Sequence, residues 1–242
     1  EIIAAGGKAI ANAASVADPG GAASIIEDGI KAFGQIDAVV NNAGILRDRI
    51  FHKMSTIDWQ MVIDVNLNGC FNVAKAAANY FKDQGSGAFV HFTSASGMIG
   101  NFGQANYSSA KLGVVGLSNS IALDMSRYGI RSNCIMPFAW SRMTETIPTD
   151  TEDGRRRVEK VKAMTPEKIA PLVAFLCSDN STDITGQVFT VRKNEIFLMS
   201  RPEILRSMHR EDGWSIDTII DSLYPAFKPS LQTKTLKAHT AL

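Results

Sequence analysis

The chain has 242 residues, 45% hydrophobic and 20% charged, with a formal net charge of +1. Such a composition suits one large α/β core and argues against disorder, and the near-neutral charge argues against a nucleic-acid or membrane-surface partner, which would ask for a concentrated positive field. No apolar run approaches the roughly 18 residues of a membrane span. The scattered cysteines Cys70, Cys134 and Cys177 lack metal-ligand spacing, so the expectation is no metal site and reduced core thiols in a cytoplasmic protein. The N-terminus carries no signal-peptide pattern, and the C-terminal H-T-A-L is not a convincing peroxisomal address.

In chain order, E-I-I-A-A-G-G-K reads as the end of a helix stopped by Gly6 and Gly7, followed by a short strand from Ala9 to Ala13. Apolar residues at helical spacing from Pro19 predict a helix capped by Gly34, and the apolar run I-D-A-V-V-N-N predicts a strand ending at Asn41 and Asn42. Strand and helix alternating in this way predict a doubly wound parallel sheet with helices on both faces. Ser55, with Asp58 three residues on, opens a long helix that is apolar on more than one side and is expected to pack on the sheet and on another chain. Asn66 is the polar exception inside it; a core asparagine satisfied by backbone would account for it.

Next come the strand A-F-V-H-F-T-S, a Gly-rich loop, a helix running to Gly129, and the strand R-S-N-C-I-M-P, which Pro137 is expected to stop. Residues 144–165 read as a surface excursion, with Arg155 to Arg157 on a solvated helix face; a minority alternative lets them meet the phosphates of a nucleotide-like substrate handle. P-E-K-I-A-P-L-V-A-F-L-C is a helix and T-G-Q-V-F-T-V the last parallel strand. One domain over 1–242 is expected, with 192–242 as a C-terminal extension. Two long apolar helices point to a homodimer or homotetramer.

The chemistry concentrates between Phe92 and Lys111. Four residues apart on a helix, Tyr107 and Lys111 share a face, so the ammonium is expected to lower the phenol's pKa and fit it for proton exchange. Ser94, where the preceding strand stops, can hydrogen-bond the oxygen of a carbonyl or alcohol. Tyr224 and Lys228 repeat the spacing, but Pro225 falls inside that pair and Glu211 stands where a serine partner would be. Phe102, Phe138, Trp140 and Met143 could form one apolar wall for an acyl chain or steroid ring, or simply pack in the core.

Ser94, Tyr107 and Lys111, together with N-N-A-G at Asn41 to Gly44 and Asn66 in V-N-L-N-G, resemble the short-chain dehydrogenase/reductase family. Longer matches, N-N-A-G-I-L-R-D-R, G-N-F-G-Q-A-N-Y-S and S-R-M-T, resemble its (3R)-hydroxyacyl-CoA dehydrogenase branch. The resemblance implies a Rossmann-like fold and a catalytic set of Ser94, Tyr107, Lys111 and Asn66, with Asn66 opening its helix and holding a water. It also implies NAD as cofactor, with NADP as the alternative, and a cofactor site made by Ser15, Val16, Asn42, Ala43, Gly44, Tyr107, Lys111, Pro137, Ala139 and Ser141. The implied reaction is hydride transfer between (3R)-3-hydroxyacyl-CoA and 3-oxoacyl-CoA, with a hydroxysteroid as the alternative substrate. A binding or assembly module with a relic site is the alternative from another class. The family's first strand, its T-G-x-x-x-G-x-G turn and its second strand are missing from these residues. The expectation is therefore an incomplete record of the protein; a chain truly starting at Glu1 should bind cofactor weakly.

Overall fold

The computed structural model describes residues 1–139, 151–162 and 164–231, so Trp140, Ser141 and Met143 lie outside it. The chain divides into two compact units, Glu1–Met199 and Ser200–Leu242.

The first unit is built on a five-stranded sheet, β1 (Ala38–Asn41), β2 (Gly87–Phe92), β3 (Ile130–Phe138), β4 (Val188–Arg192) and β5 (Glu195–Leu198), in the spatial order β1-β2-β3-β4-β5. The first four run parallel and β5 returns antiparallel to β4. Helix α1 (Pro19–Phe33) starts where Asp18 accepts the Gly21 N–H and stops at Gly34, whose φ of 88° only a residue without Cβ takes up cheaply. Its Ala22 and Ile26 pack with Val39 and Phe89 of the sheet and with Val73, Ala77 and Phe81 of α3 (Gly69–Gln84). On the same face α5 (Ala105–Met125) meets β3 through the buried hydroxyl pair Ser118 and Ser132, 2.8 Å apart. The opposite face carries α7 (Ala170–Cys177), whose Leu172 and Leu176 pack on Val90, Ile135 and Val191. Alternate residues along the strands thus serve two layers, as a doubly wound sheet requires.

Several expectations are corrected here. Residues 9–13 form no strand, because among the described residues no strand lies beside them to accept their backbone. At the amino end the expected helix tail is a single turn in which Ala5 N–H donates to Glu1 O. β1 is an edge, and its Val40 is 43% exposed although the apolar run predicts burial on both faces. Pro137 does not stop β3. Pairing with β2 ends at Ile135, while pairing with β4 continues through Pro137 to Phe138, so the missing N–H falls beyond the end of β2. The antiparallel β5 was not foreseen; Lys193, at φ 55°, and Asn194 make the tight turn from β4.

The long helix after Ser55 is broken into α2 (Thr56–Ile63), one wide π-turn at Asp64–Asn68, and α3. Ser55 caps it as expected, accepting the Asp58 N–H at 3.0 Å. Arg155 and Arg156 are exposed on α6 (Glu152–Lys162). Among the described residues no helix is long and apolar enough to cross a membrane.

In the second unit residues 200–214 have no regular structure beyond a turn, and short helical turns follow from Ile216 to Ser230.

Candidate active site

The site lies where β1 and β2 end and α5 begins. Ser94 follows β2 in extended backbone and caps the short helix α4 (Ala95–Ile99) by accepting the Ser96 N–H at 3.2 Å. Thr93 Oγ1 donates to the Lys111 carbonyl at 2.7 Å, and Lys111 Nζ donates to the Phe92 carbonyl at 2.8 Å. These two bonds fasten one turn of α5 to the end of the strand, which fixes the register of Ser94 against Tyr107. Lys111 Nζ lies 5.7 Å from the centre of the Tyr107 ring, and the Ser94 side chain is close enough to the phenol to lower its pKa.

Electrostatics here depart from the sequence reading. Burial holds the Tyr107 pKa above the ordinary phenol value; the Ser94 hydrogen bond pulls it down and the Asp48 carboxylate pushes it up. Lys111 does not produce the expected depression. The residue is 3% exposed, and its ammonium points at a carbonyl and is itself destabilised, burial driving its pKa down against the opposing influence of Cys70 and Cys134. Cys134 is pushed up to about 12, chiefly by burial, and burial also raises Cys70, so both thiols stay protonated and inert near neutral pH.

Asn66 sits inside the π-turn, fully buried. Its Nδ2 donates to the carbonyls of Ile45 and Val62, both at 3.0 Å, while its Oδ1 has no partner. Gly44 closes over that oxygen: a Cβ there would stand 2.6 Å from Oδ1 and 3.7 Å from Lys111 Nζ. A bare backbone is therefore required beside both polar groups, and both are left facing a narrow space. The Asn66 carbonyl accepts from the Cys70 thiol at 3.2 Å.

The contacts around Lys111 thus unite Tyr107, Ser94, Asn66 and Gly44. Asn42 and Ala43 lie exposed in the same loop. Ser15 and Val16 stand in the turn before α1, where the Val16 carbonyl accepts from Asn72 of α3 at 3.0 Å. Pro137 is the register partner of Val191, and Ala139 packs on the α7 face. Phe102 is 77% exposed, and so does not belong to a packed apolar wall. Among the described residues no cluster could hold a metal.

Three polar residues near the site escaped the sequence reading. His91, fully buried in β2, meets Asn41 Nδ2 through Nδ1 at 3.1 Å and leaves Nε2 unpartnered. Burial, and then the Lys111 charge, lower its pKa to about 4. Gln104 and Asp48 are joined at 2.8 Å. Gln104 occupies the cap position just before α5, three residues ahead of Tyr107, a place readable in G-N-F-G-Q-A-N-Y-S.

A nicotinamide dinucleotide fits these residues on two observations, the partnerless Asn66 Oδ1 and the Gly44 cradle that a Cβ would fill. Lys111, Tyr107 and the 42–44 loop would hold it.

Comparison with known proteins points the same way. A family model described as Enoyl-(Acyl carrier protein) reductase matches residues 1–193. Peroxisomal multifunctional enzyme type 2 of Mus musculus is 45% identical over 192 residues, 79% of this chain and 24% of that protein. A 3-oxoacyl-[acyl-carrier-protein] reductase of Synechocystis is 40% identical over 193 residues, 79% of this chain and 77% of the relative. The crystal structure of a short chain dehydrogenase from Mycobacterium avium superposes with a TM-score of 0.80 at 35% identity, covering 94% of this chain and 75% of that one. Against other curated relatives the chain spans 59% of one length and 20% of another.

Proposed function

Because the chain belongs to the short-chain dehydrogenase/reductase family, we propose that it interconverts a secondary alcohol and a ketone, with (3R)-3-hydroxyacyl-CoA and 3-oxoacyl-CoA as the pair. The observation that carries the reading is the convergence of Ser94, Tyr107 and Lys111 beside an unpartnered Asn66 oxygen and a bare Gly44 backbone. The cofactor supplies or accepts the hydride. Ser94 orients the substrate oxygen, and Tyr107 gives or takes its proton. Lys111 fixes the geometry of that helix turn and carries the charge next to the phenol, and Asn66 holds a water on the path from Lys111 to solvent. NAD is the proposed cofactor, with NADP as the alternative.

A 3-oxoacyl thioester is supported by the printed name of the Synechocystis relative, while the description of the matching family, which names an enoyl group, supports only an acyl thioester reduced by the enzyme. Nothing among the described residues favours a hydroxysteroid. Exposed Phe71 on α3 and Leu112 and Leu123 on α5 support assembly of two or four copies through these helices. The test is turnover of 3-oxobutanoyl-CoA with NADH and NADPH, alongside calorimetric binding of each dinucleotide. Saturable binding with turnover lost in Tyr107→Phe is the expected result. No saturable binding of either dinucleotide would leave a binding or assembly module in its place.

A further inference from the structure

The loop from Arg47 to Lys53 carries positive charge that the reaction as described does not use. It sets three cations, Arg47, Arg49 and Lys53, against the one carboxylate of Asp48. Arg49 and Lys53 line an open cavity of about 350 Å³ with Asp48, Ile50 and Gly103, a volume that suits part of a small-molecule ligand. Among the described residues neither the Arg49 guanidinium nor the Lys53 ammonium has an ion-pair or hydrogen-bond partner. Both cations nevertheless stand on fixed backbone. The Arg49 N–H donates to the Gly103 carbonyl at 2.8 Å, and the Lys53 N–H closes the tight helical turn Phe51–Lys53 by donating to the Ile50 carbonyl at 2.8 Å. The cavity is also joined to the catalytic end of the sheet. Asp48 Oδ2 accepts from Gln104 Nε2 and Gln104 Oε1 from Ser96 Oγ, each at 2.8 Å, and the Ser96 N–H donates to Ser94 Oγ at 3.2 Å. A continuous row of hydrogen bonds thus runs from the cavity wall to the serine. Ile50, Phe51 and Phe102 are exposed in the same two loops, so apolar surface accompanies the cations.

We propose that Arg49 and Lys53 form a phosphate-ester site for the handle of the thioester substrate. The inference rests on the reading of that substrate as a 3-oxoacyl thioester. Such a molecule has a reacting ketone at one end, a long arm of methylene and amide groups, and phosphate at the other. Serine, apolar loop surface and free cations supply a partner for each part. A guanidinium fork and an ammonium point charge are the two side-chain groups best suited to phosphate oxygens. Asp48 opposes an anion in the cavity, but its Oδ2 is engaged by Gln104, and two cations line the same walls. The phosphate belongs either to the phosphopantetheine arm, common to coenzyme A and carrier proteins, or to the nucleotide of coenzyme A alone.

The test compares 3-oxobutanoyl thioesters of pantetheine, phosphopantetheine and coenzyme A on the whole chain, with calorimetric binding of free coenzyme A and free pantetheine. The parent should favour the phosphorylated forms in kcat/KM and in affinity, and the preference should shrink as salt rises. In the double variant Arg49→Gln, Lys53→Gln that preference should fall roughly tenfold. Arg49→Lys should keep part of it, and Lys31→Gln, which removes an exposed cation of α1, should leave it whole. Equal losses for phosphopantetheine and coenzyme A place the contact at the phosphate of the arm, and a loss confined to coenzyme A places it at the nucleotide; either supports the site. An unchanged preference in the double variant overturns it, as does a fall in dinucleotide affinity in place of the preference, which would give the cations to the cofactor. Weakened coenzyme A binding in the variant of a chain that turns over no thioester supports the site and counts against the proposed reaction instead.

Discussion

The chain contains two Tyr-x-x-x-Lys pairs whose local geometry is the same. Lys111 Nζ lies 5.7 Å from the Tyr107 ring centre, and Lys228 Nζ lies 5.6 Å from that of Tyr224. Each pair also has a π-turn in its surroundings: Asp64–Asn68 packs on the helix of the first pair, and Ile219–Leu223 runs directly into the second. Everything beyond the pair differs. Lys111 sits near the start of a 21-residue helix, is 3% exposed and is bonded to the end of a strand. Tyr224 opens a four-residue helix with Pro225 in its first turn and is 49% exposed, and Lys228 is exposed. The first π-turn buries Asn66 with a free oxygen, while the second buries nothing. A ring and an ammonium at one spacing are therefore only a helix property. What sets the Tyr107 pair apart is the strand end that supplies Ser94 and the burial that makes charge expensive.

The largest expected effect separates the two pairs directly. Tyr107→Phe should lower turnover of the 3-oxoacyl substrate by roughly 10²–10⁴-fold, as loss of a positioned acid–base group does, with cofactor affinity kept within a few fold. Tyr224→Phe should change neither. Equal losses in steady-state assays of the two variants would erase the distinction between them.

Burial predicts further differences. Gly44→Ala puts a methyl group 2.6 Å from Asn66 Oδ1, so either the loop or the π-turn must move. Overpacking of this kind costs about 1–3 kcal/mol, and urea unfolding with parallel dinucleotide titration should show stability and affinity falling together. His91 gives a pH signature of similar size. Its pKa in the folded chain is about 4, below the ordinary 6.5, so the unfolded chain takes up a proton that the native chain refuses. Stability is complete above pH 6.5, declines as pH falls to about 4, and loses on the order of 3 kcal/mol across that window. Chemical denaturation of His91→Gln should lack this slope; an identical slope in the variant would show that the proton is taken up elsewhere.

How much of this was legible in the sequence follows from what sets each feature. Helix α1 and its Gly34 cap, the Ser55 cap and the four parallel strands are encoded by local periodicity and terminal residues, so they read directly. The strand expected at Ala9–Ala13 failed because a strand needs a neighbour, a condition outside its own five residues. β5 was readable in principle from the Lys193-Asn194 pair between two β-rich runs, but it stood in what read as a tail. The neighbourhood of Ser94, Tyr107 and Lys111 was legible because strand, loop and helix cues coincide there. The raised Tyr107 phenol and the Asp48–Gln104 contact could not be, since both depend on how a loop 56 residues upstream of Gln104 folds back.

The smallest effect sharpens the comparison from its exposed side. At Tyr224 and Lys228 the cation and ring remain in contact with water, so the attraction is screened and both side chains give up rotamer freedom to make it. A double-mutant cycle with Tyr224→Leu and Lys228→Met should return a coupling of about 0.5 kcal/mol or less. The single change Lys111→Met should cost far more than Lys228→Met, because the Phe92 carbonyl loses its donor, a loss that the ring does not share and that a cycle with Tyr107→Leu cancels from the coupling. Equal unfolding costs for Lys111→Met and Lys228→Met would mean that the ring–ammonium contact, rather than the strand end, anchors Lys111.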